Sequence, residues 1–107
     1  MERTPSIMPS ELKQRLDAGH RPELLDVREP WEYELARIEG SRLIPMGELS
    51  GRVSELDPAA ETVVICHHGA RSAYVTRALQ EAGFGKVLNL AGGLDAYAGV
   101  DGSVPRY

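Results

Sequence analysis

One cysteine stands in this chain, and the residues after it do not read as the end of a core strand: Cys66-His67-His68-Gly69-Ala70-Arg71-Ser72. An apolar run, Thr62-Val63-Val64-Ile65, leads into the cysteine, and a helix-forming stretch begins at Ser72. A loop of this kind turns successive backbone amides inward, and the first amides of the helix behind it have no partner within the helix. Together they make a concave cradle for an anion. The positive end of the helix and Arg71 both favour thiolate over thiol at Cys66. Gly69 permits a turn that a β-carbon would obstruct. A thiolate in an anion cradle is a nucleophile suited to anionic electrophiles. A free cysteine more often serves as a small buried hydrophobe, but polar and charged residues directly after Cys66 argue against that reading here. Arg71 sits where the helix dipole disfavours a cation, which points to an anionic ligand. His67 and His68 are adjacent, and adjacent residues chelate poorly together. With His20 the only other histidine, they read as loop filler or electrostatic support, and no metal site or cofactor is expected.

The rest of the chain must position that loop. At 107 residues, with 42% hydrophobic and 26% charged positions, it suffices for one compact domain, residues 1–107, with a packed core. The 12 Lys and Arg against 16 Asp and Glu leave a net charge of −4, which argues against a broad nucleic-acid footprint. The longest apolar run is too short to span a bilayer. A single cysteine excludes internal disulfides and multi-cysteine metal sites. The first ten residues show no apolar stretch leading to a cleavage site. These features predict a cytoplasmic domain without membrane contact.

Strands are predicted at Glu23–Val27, Thr62–Cys66 and Lys86–Leu90, with shorter ones at Ser6–Met8 and Arg42–Pro45. Their near-continuous apolar character suits a parallel sheet covered on both faces. Helical spacing marks Ser10–Ala18, a short helix from Pro30 through Leu35, a stretch with Leu49, Val53 and Leu56 on one face, Ser72–Ala82, and Leu94–Ala98. Alternation of strands and helices predicts an α/β fold: a central, mostly parallel five-stranded sheet with helices on both faces, in three layers. Ligands in such folds bind beyond the carboxyl ends of strands, where Cys66 lies.

Four segments in order carry a family resemblance. Leu25-Asp26-Val27-Arg28-Glu29-Pro30 with Glu32-Tyr33, Ile38-Glu39-Gly40-Ser41 leading to Ile44-Pro45-Met46-Gly47-Glu48-Leu49, the loop Cys66 to Ser72, and Leu90-Ala91-Gly92-Gly93-Leu94-Asp95-Ala96-Tyr97 together resemble the single-domain rhodaneses, a sulfurtransferase superfamily. The chain departs from that pattern at Ala36-Arg37, where the family usually has Gly-His. The resemblance implies that Cys66 is the nucleophile and carries sulfur as a persulfide. It implies that the amides of His67, His68, Gly69, Ala70, Arg71 and Ser72 surround the outer sulfur, and that Arg71 holds an anionic donor such as thiosulfate. The acceptor would be cyanide, a thiol or a sulfur-carrier protein. Asp26, Arg28 and Glu32 read as structural support, with Arg28 placed to pair with Glu32 four residues on.

Two other functions use similar residues. Cysteine-dependent phosphatases also close an amide cradle with arginine, but with one residue more between cysteine and arginine than the four found here. A shorter loop encloses a smaller atom and fits sulfur better than a phosphoryl group. A binding-only module would not need Cys66 and Arg71, and both are present. The tail Val100–Tyr107 is similar to the ends of rhodanese domains fused to adenylating enzymes. Its plainer reading is a packed terminus in which Tyr107 covers part of the core.

Overall fold

A computed structural model describes residues 4–107. Five strands, β1 (Ser6–Ile7), β2 (Glu23–Asp26), β3 (Arg42–Leu43), β4 (Thr62–Ile65) and β5 (Val87–Leu90), form one sheet in the order β1-β5-β4-β2-β3. Every pairing is parallel. The register sets Leu25 beside Val64 and Asp26 beside Ile65, so β2 and β4 end level with each other. The helices are α1 (Pro9–Asp17), α2 (Pro30–Leu35), α3 (Leu49–Arg52), α4 (Ala70–Glu81) and α5 (Gly93–Tyr97).

Side chains of a strand alternate between faces, and the two cores sort accordingly. Leu24, Val63, Ile65 and Leu90 pack with Leu12 of α1 and with Leu94 and Tyr97 of α5. Leu25, Val27, Val64 and Cys66 pack on the other face with Leu49 of α3 and with Val75 and Leu79 of α4. The expected three-layer α/β architecture is present. Among the described residues no helix is long and apolar enough to cross a membrane.

Three local differences from the sequence-based expectation have physical causes. The stretch carrying Leu49, Val53 and Leu56 is not one helix. A 3-10 turn at Met46–Glu48, the single α-turn α3 and a second 3-10 turn at Val53–Glu55 replace it. Gly47, Ser50, Gly51 and Ser54 are weak helix formers, so burial of Leu49 and Leu56 holds the face without a continuous helix. Next, α4 begins at Ala70 rather than Ser72, because Gly69, at φ +101°, turns the chain straight into the helix. Arg71 is therefore the second helical residue. Third, β3 is shorter than predicted, yet its ladder continues: the amides of Ile44 and Met46 donate to the carbonyls of Asp26 and Val27 at 2.9 and 3.0 Å.

Arg28 does not pair with the Glu32 carboxylate. Glu29 is the N-cap of α2, so Arg28 lies at a bend between the end of β2 and the helix. The turn after β2, not the helix's period of four, chooses its partner: the Arg28 amide donates to Asp26 Oδ1 at 3.1 Å. Its Nε and Nη2 bind Asp26 Oδ1 and Oδ2 at 2.9 and 2.7 Å, and both residues are fully buried. The guanidinium also donates to the carbonyls of Glu32 and Ala36 at the end of α2, where a cation suits the helix dipole. Removing one member of a buried pair leaves the other charge uncompensated. Asp26→Asn is thus expected to lower unfolding free energy by about 3–5 kcal/mol, read as a lower urea midpoint at unchanged slope.

Candidate active site

The strands β2 and β4 deliver Val27 and Cys66 to the carboxyl edge of the sheet, and α4 starts three residues beyond the cysteine at its cap, Gly69. Cys66 is 1% exposed. The Gly69 amide donates to its Sγ at 3.0 Å. The Ser72 hydroxyl stands 3.2 Å from the same sulfur and also donates to Asn89 Oδ1. A hydroxyl has one proton, so it serves Asn89 while Cys66 is a thiol and can turn to the sulfur when Cys66 is a thiolate. Asn89 shares its sheet face with Val87 by strand alternation, which brings it under α4. The first intrahelical bond runs from the Ala73 amide to the Gly69 carbonyl at 3.0 Å. The amides of Ala70, Arg71 and Ser72 thus precede any intrahelical partner.

The loop is held from behind by the start of α5. The amides of Leu94 and Asp95 donate to the carbonyls of Cys66 and His67 at 2.7 and 3.0 Å. Approach this close requires glycine. A β-carbon at Gly93 would lie 2.4 Å from the His67 carbonyl oxygen, and the residue's φ of +66° disfavours side chains as well.

A groove of about 520 Å³ opens in front of the sulfur, lined by Cys66, His67, His68, Ala70 and Arg71 on one side and by Trp31, Glu32, Leu35 and Tyr107 on the other. The anion facing Arg71 is part of the chain. Its Nη1 and Nη2 bind Glu32 Oε1 and Oε2 at 2.7 and 2.9 Å, a two-point pair. The Tyr107 hydroxyl donates to Glu32 Oε2 and accepts from Arg28 Nη1, each at 2.7 Å. Its ring lies 4.3 Å from that of His67. Arg71 holds the Glu32 carboxyl down at about 2, against the opposing effect of burial. Burial pushes the Tyr107 phenol up to about 12. His67 is shifted toward its neutral form, first by burial and then by His68. Its Nδ1 is buried and unpartnered among the described residues.

Of the residues singled out from sequence, Cys66, His67, His68, Ala70, Arg71 and Glu32 line one groove, while Gly69 and Ser72 reach the sulfur from beneath. Asp26 and Arg28 stand behind it, and Arg28 reaches it through the Tyr107 hydroxyl and the Glu32 carbonyl. Sequence patterns alone did not point to Asn89, nor to Tyr107 as a groove wall. Tyr107 does pack against the core, and its hydroxyl also joins the two ion pairs. No local pattern signals a contact across 75 residues.

Two consequences are measurable. Gly93→Ala must displace the His67 carbonyl and should cost several kcal/mol, on the order of other backbone clashes. Gly102→Ala, with open space around it, should leave the melting temperature nearly unchanged. The depressed Glu32 stabilises the fold above the ordinary carboxylate range and loses that contribution as pH falls from 4.5 toward about 2. In denaturation experiments, the stability gap between wild type and Glu32→Gln should hold at neutral pH and close across that acidic window.

Comparison with known proteins agrees with this geometry. A family model, the rhodanese-like domain, matches residues 8–99. The chain is 40% identical over 95 residues to YrkF of Bacillus subtilis, covering 89% of this chain and 51% of that protein. It is 37% identical over 87 residues to a protein named sulfurtransferase from Allochromatium vinosum, covering 81% of each. The crystal structure of a rhodanese-like domain protein from Staphylococcus aureus superposes with a TM-score of 0.85 at 27% identity, over 96% of this chain and 98% of that one. The chain spans about half or less of the length of the first curated relatives it matches. With the parallel sheet, the cysteine at the end of its central strand and the amide loop behind it, these matches establish that the chain belongs to the rhodanese-like domain family.

Proposed function

We propose that the chain is a sulfurtransferase that moves sulfane sulfur through a persulfide on Cys66. The observation that carries this reading is the sulfur itself: at the end of β4, it accepts the Gly69 amide at 3.0 Å in a loop of four residues that closes on Arg71. The sulfurtransferase name of a relative matched over most of both chains supports it, as do the words sulfur carrier in the name of YrkF.

In the first step the Cys66 thiolate attacks the outer sulfur of a donor such as thiosulfate. A new S–S bond forms on Cys66, the donor's S–S bond breaks, and the bonding pair leaves with sulfite. The resulting persulfide is an anion, and the amides of Ala70, Arg71 and Ser72 with the helix dipole stabilise it. In the second step an acceptor nucleophile, a thiol, a sulfur-carrier protein or cyanide in an assay, takes the outer sulfur. The electron pair of that bond returns to Cys66 as thiolate. No metal or organic cofactor enters this scheme.

Intact mass after thiosulfate is expected to rise by one sulfur atom and to return after cyanide, with thiocyanate released. Cys66→Ser should show neither change while keeping the fold. Sulfur transfer by that variant would overturn the scheme. Arg71→Ala should raise KM for thiosulfate by about tenfold or more, because it leaves the Glu32 charge facing the donor unopposed. An unchanged KM would remove Arg71 from donor capture.

A further inference from the structure

The charge balance of the groove does not suit a small dianion. Among the described residues Arg71 is the one cation lining it apart from the histidines, and each of its terminal nitrogens donates to Glu32. Glu32 cannot easily release it. Its carboxylate is 6% exposed and is tied as well to the Tyr107 hydroxyl and the Glu29 amide. Tyr107 is in turn fixed by the fully buried Arg28. With Cys66 as a thiolate, the charged groups at the groove are, among the described residues, two anions and one cation. A donor with two negative charges meets net repulsion there, and a donor with one meets about half as much.

The shape points the same way. At about 520 Å³ the groove lies within the range that holds organic ligands, far more room than a tetrahedral inorganic ion fills. Apart from Glu32, its wall opposite the cradle is apolar and aromatic: Trp31 and Leu35, which are 61% and 53% exposed, and the Tyr107 ring set edge-on to Trp31 at 6.3 Å. Among the described residues nothing on that wall offers a second cation to an inorganic anion.

We propose that Glu32 is a specificity-determining residue which, by neutralising Arg71, turns the site away from dianionic thiosulfate and toward organic sulfane donors that carry a single negative charge and an apolar body. The assignment deepens the sulfur-transfer reading and rests on it. With an aryl thiosulfonate the step balances as before. Cys66 thiolate bonds to the terminal sulfur, the S–S bond of the donor breaks, and its electron pair leaves with the aryl sulfinate. The ring of such a donor would lie along Trp31, Leu35 and Tyr107 while its sulfur meets Cys66. Glu32 acts through Arg71 and is a positioning residue, not one that touches the reacting atoms.

The test compares thiosulfate with benzenethiosulfonate, two donors with the same sulfane chemistry and different charge. Wild type is expected to show kcat/KM at least about tenfold higher for benzenethiosulfonate, a comparison that needs no variant. Glu32→Gln keeps the size and hydrogen-bonding reach of the side chain and removes its charge. It should raise kcat/KM for thiosulfate by about tenfold and for benzenethiosulfonate by about threefold, mainly through KM, since the interaction scales with donor charge. Glu32→Asp keeps the charge and should keep the wild-type preference. A merely structural Glu32 would make both variants worse on both donors. Preference of the wild type for thiosulfate, or no gain on thiosulfate in Glu32→Gln, overturns the assignment while leaving sulfur transfer standing. If neither donor adds sulfur to Cys66 by intact mass, the sulfur-transfer reading fails and this assignment fails with it.

Discussion

The buried Arg28 guanidinium holds together the side of the site that faces Cys66. Its Asp26 partner satisfies the charge within the sheet's edge, and its remaining donors reach the last carbonyls of α2 and the Tyr107 hydroxyl. A buried cation is tolerated only when each of its donors finds an acceptor, so this one dictates where its neighbours lie. From Arg28 the contacts run outward through Tyr107 to Glu32 and on to Arg71, alternating in charge with the neutral phenol between. An interior ion pair and an arginine at the rim of the groove are thus parts of one hydrogen-bonded chain. In a low-dielectric setting such chains polarise along their length and rigidify their members.

The other side of the site depends on backbone alone. Gly69 turns β4 into α4, and Gly93 lets α5 approach until its first amides reach the carbonyls of Cys66 and His67. The Gly69 amide then donates to the sulfur. The chemistry needs donors that are already aimed, because groups oriented in advance cost no reorganisation as charge develops. Two glycines and two helix starts supply that aim without a charged side chain in contact with the sulfur.

These two sides explain why the groove is asymmetric. The cradle side has dipoles that suit a bound sulfur anion. The opposite side has the Glu32 carboxylate paired to Arg71 and an apolar wall with exposed Trp31 and Leu35. On the proposed reading, sulfur held in the loop is stabilised locally, while the body of its donor or acceptor is met by apolar surface. Burial of Cys66 itself restricts access to the groove's direction.

Local features of the sequence determined much of this. The apolar runs at Glu23–Val27 and Thr62–Cys66 and the helical stripe of Val75 and Leu79 specify strands and a helix through backbone geometry alone. Parallel pairing is a consequence of the alternation of strands with helices. The loop Cys66 to Ser72 was legible for the same reason: its residues are contiguous, and the strand end, glycine turn and helix start act on them directly. What the tertiary structure decided is everything that joins distant positions. Arg28 meets Asp26 because it sits one residue before the α2 cap, in the turn that follows β2, a matter of a single position that helical spacing does not reveal. Arg71 meets Glu32, 39 residues away, and Tyr107 meets both Glu32 and Arg28, only because β2 and β4 are neighbours that end level in the sheet. A carboxylate pairs with whichever cation lies within a few ångströms, and distance along the chain carries no information about that. The cysteine and the loop after it are local and were written in order; the carboxylate that faces them across the groove is a product of the sheet.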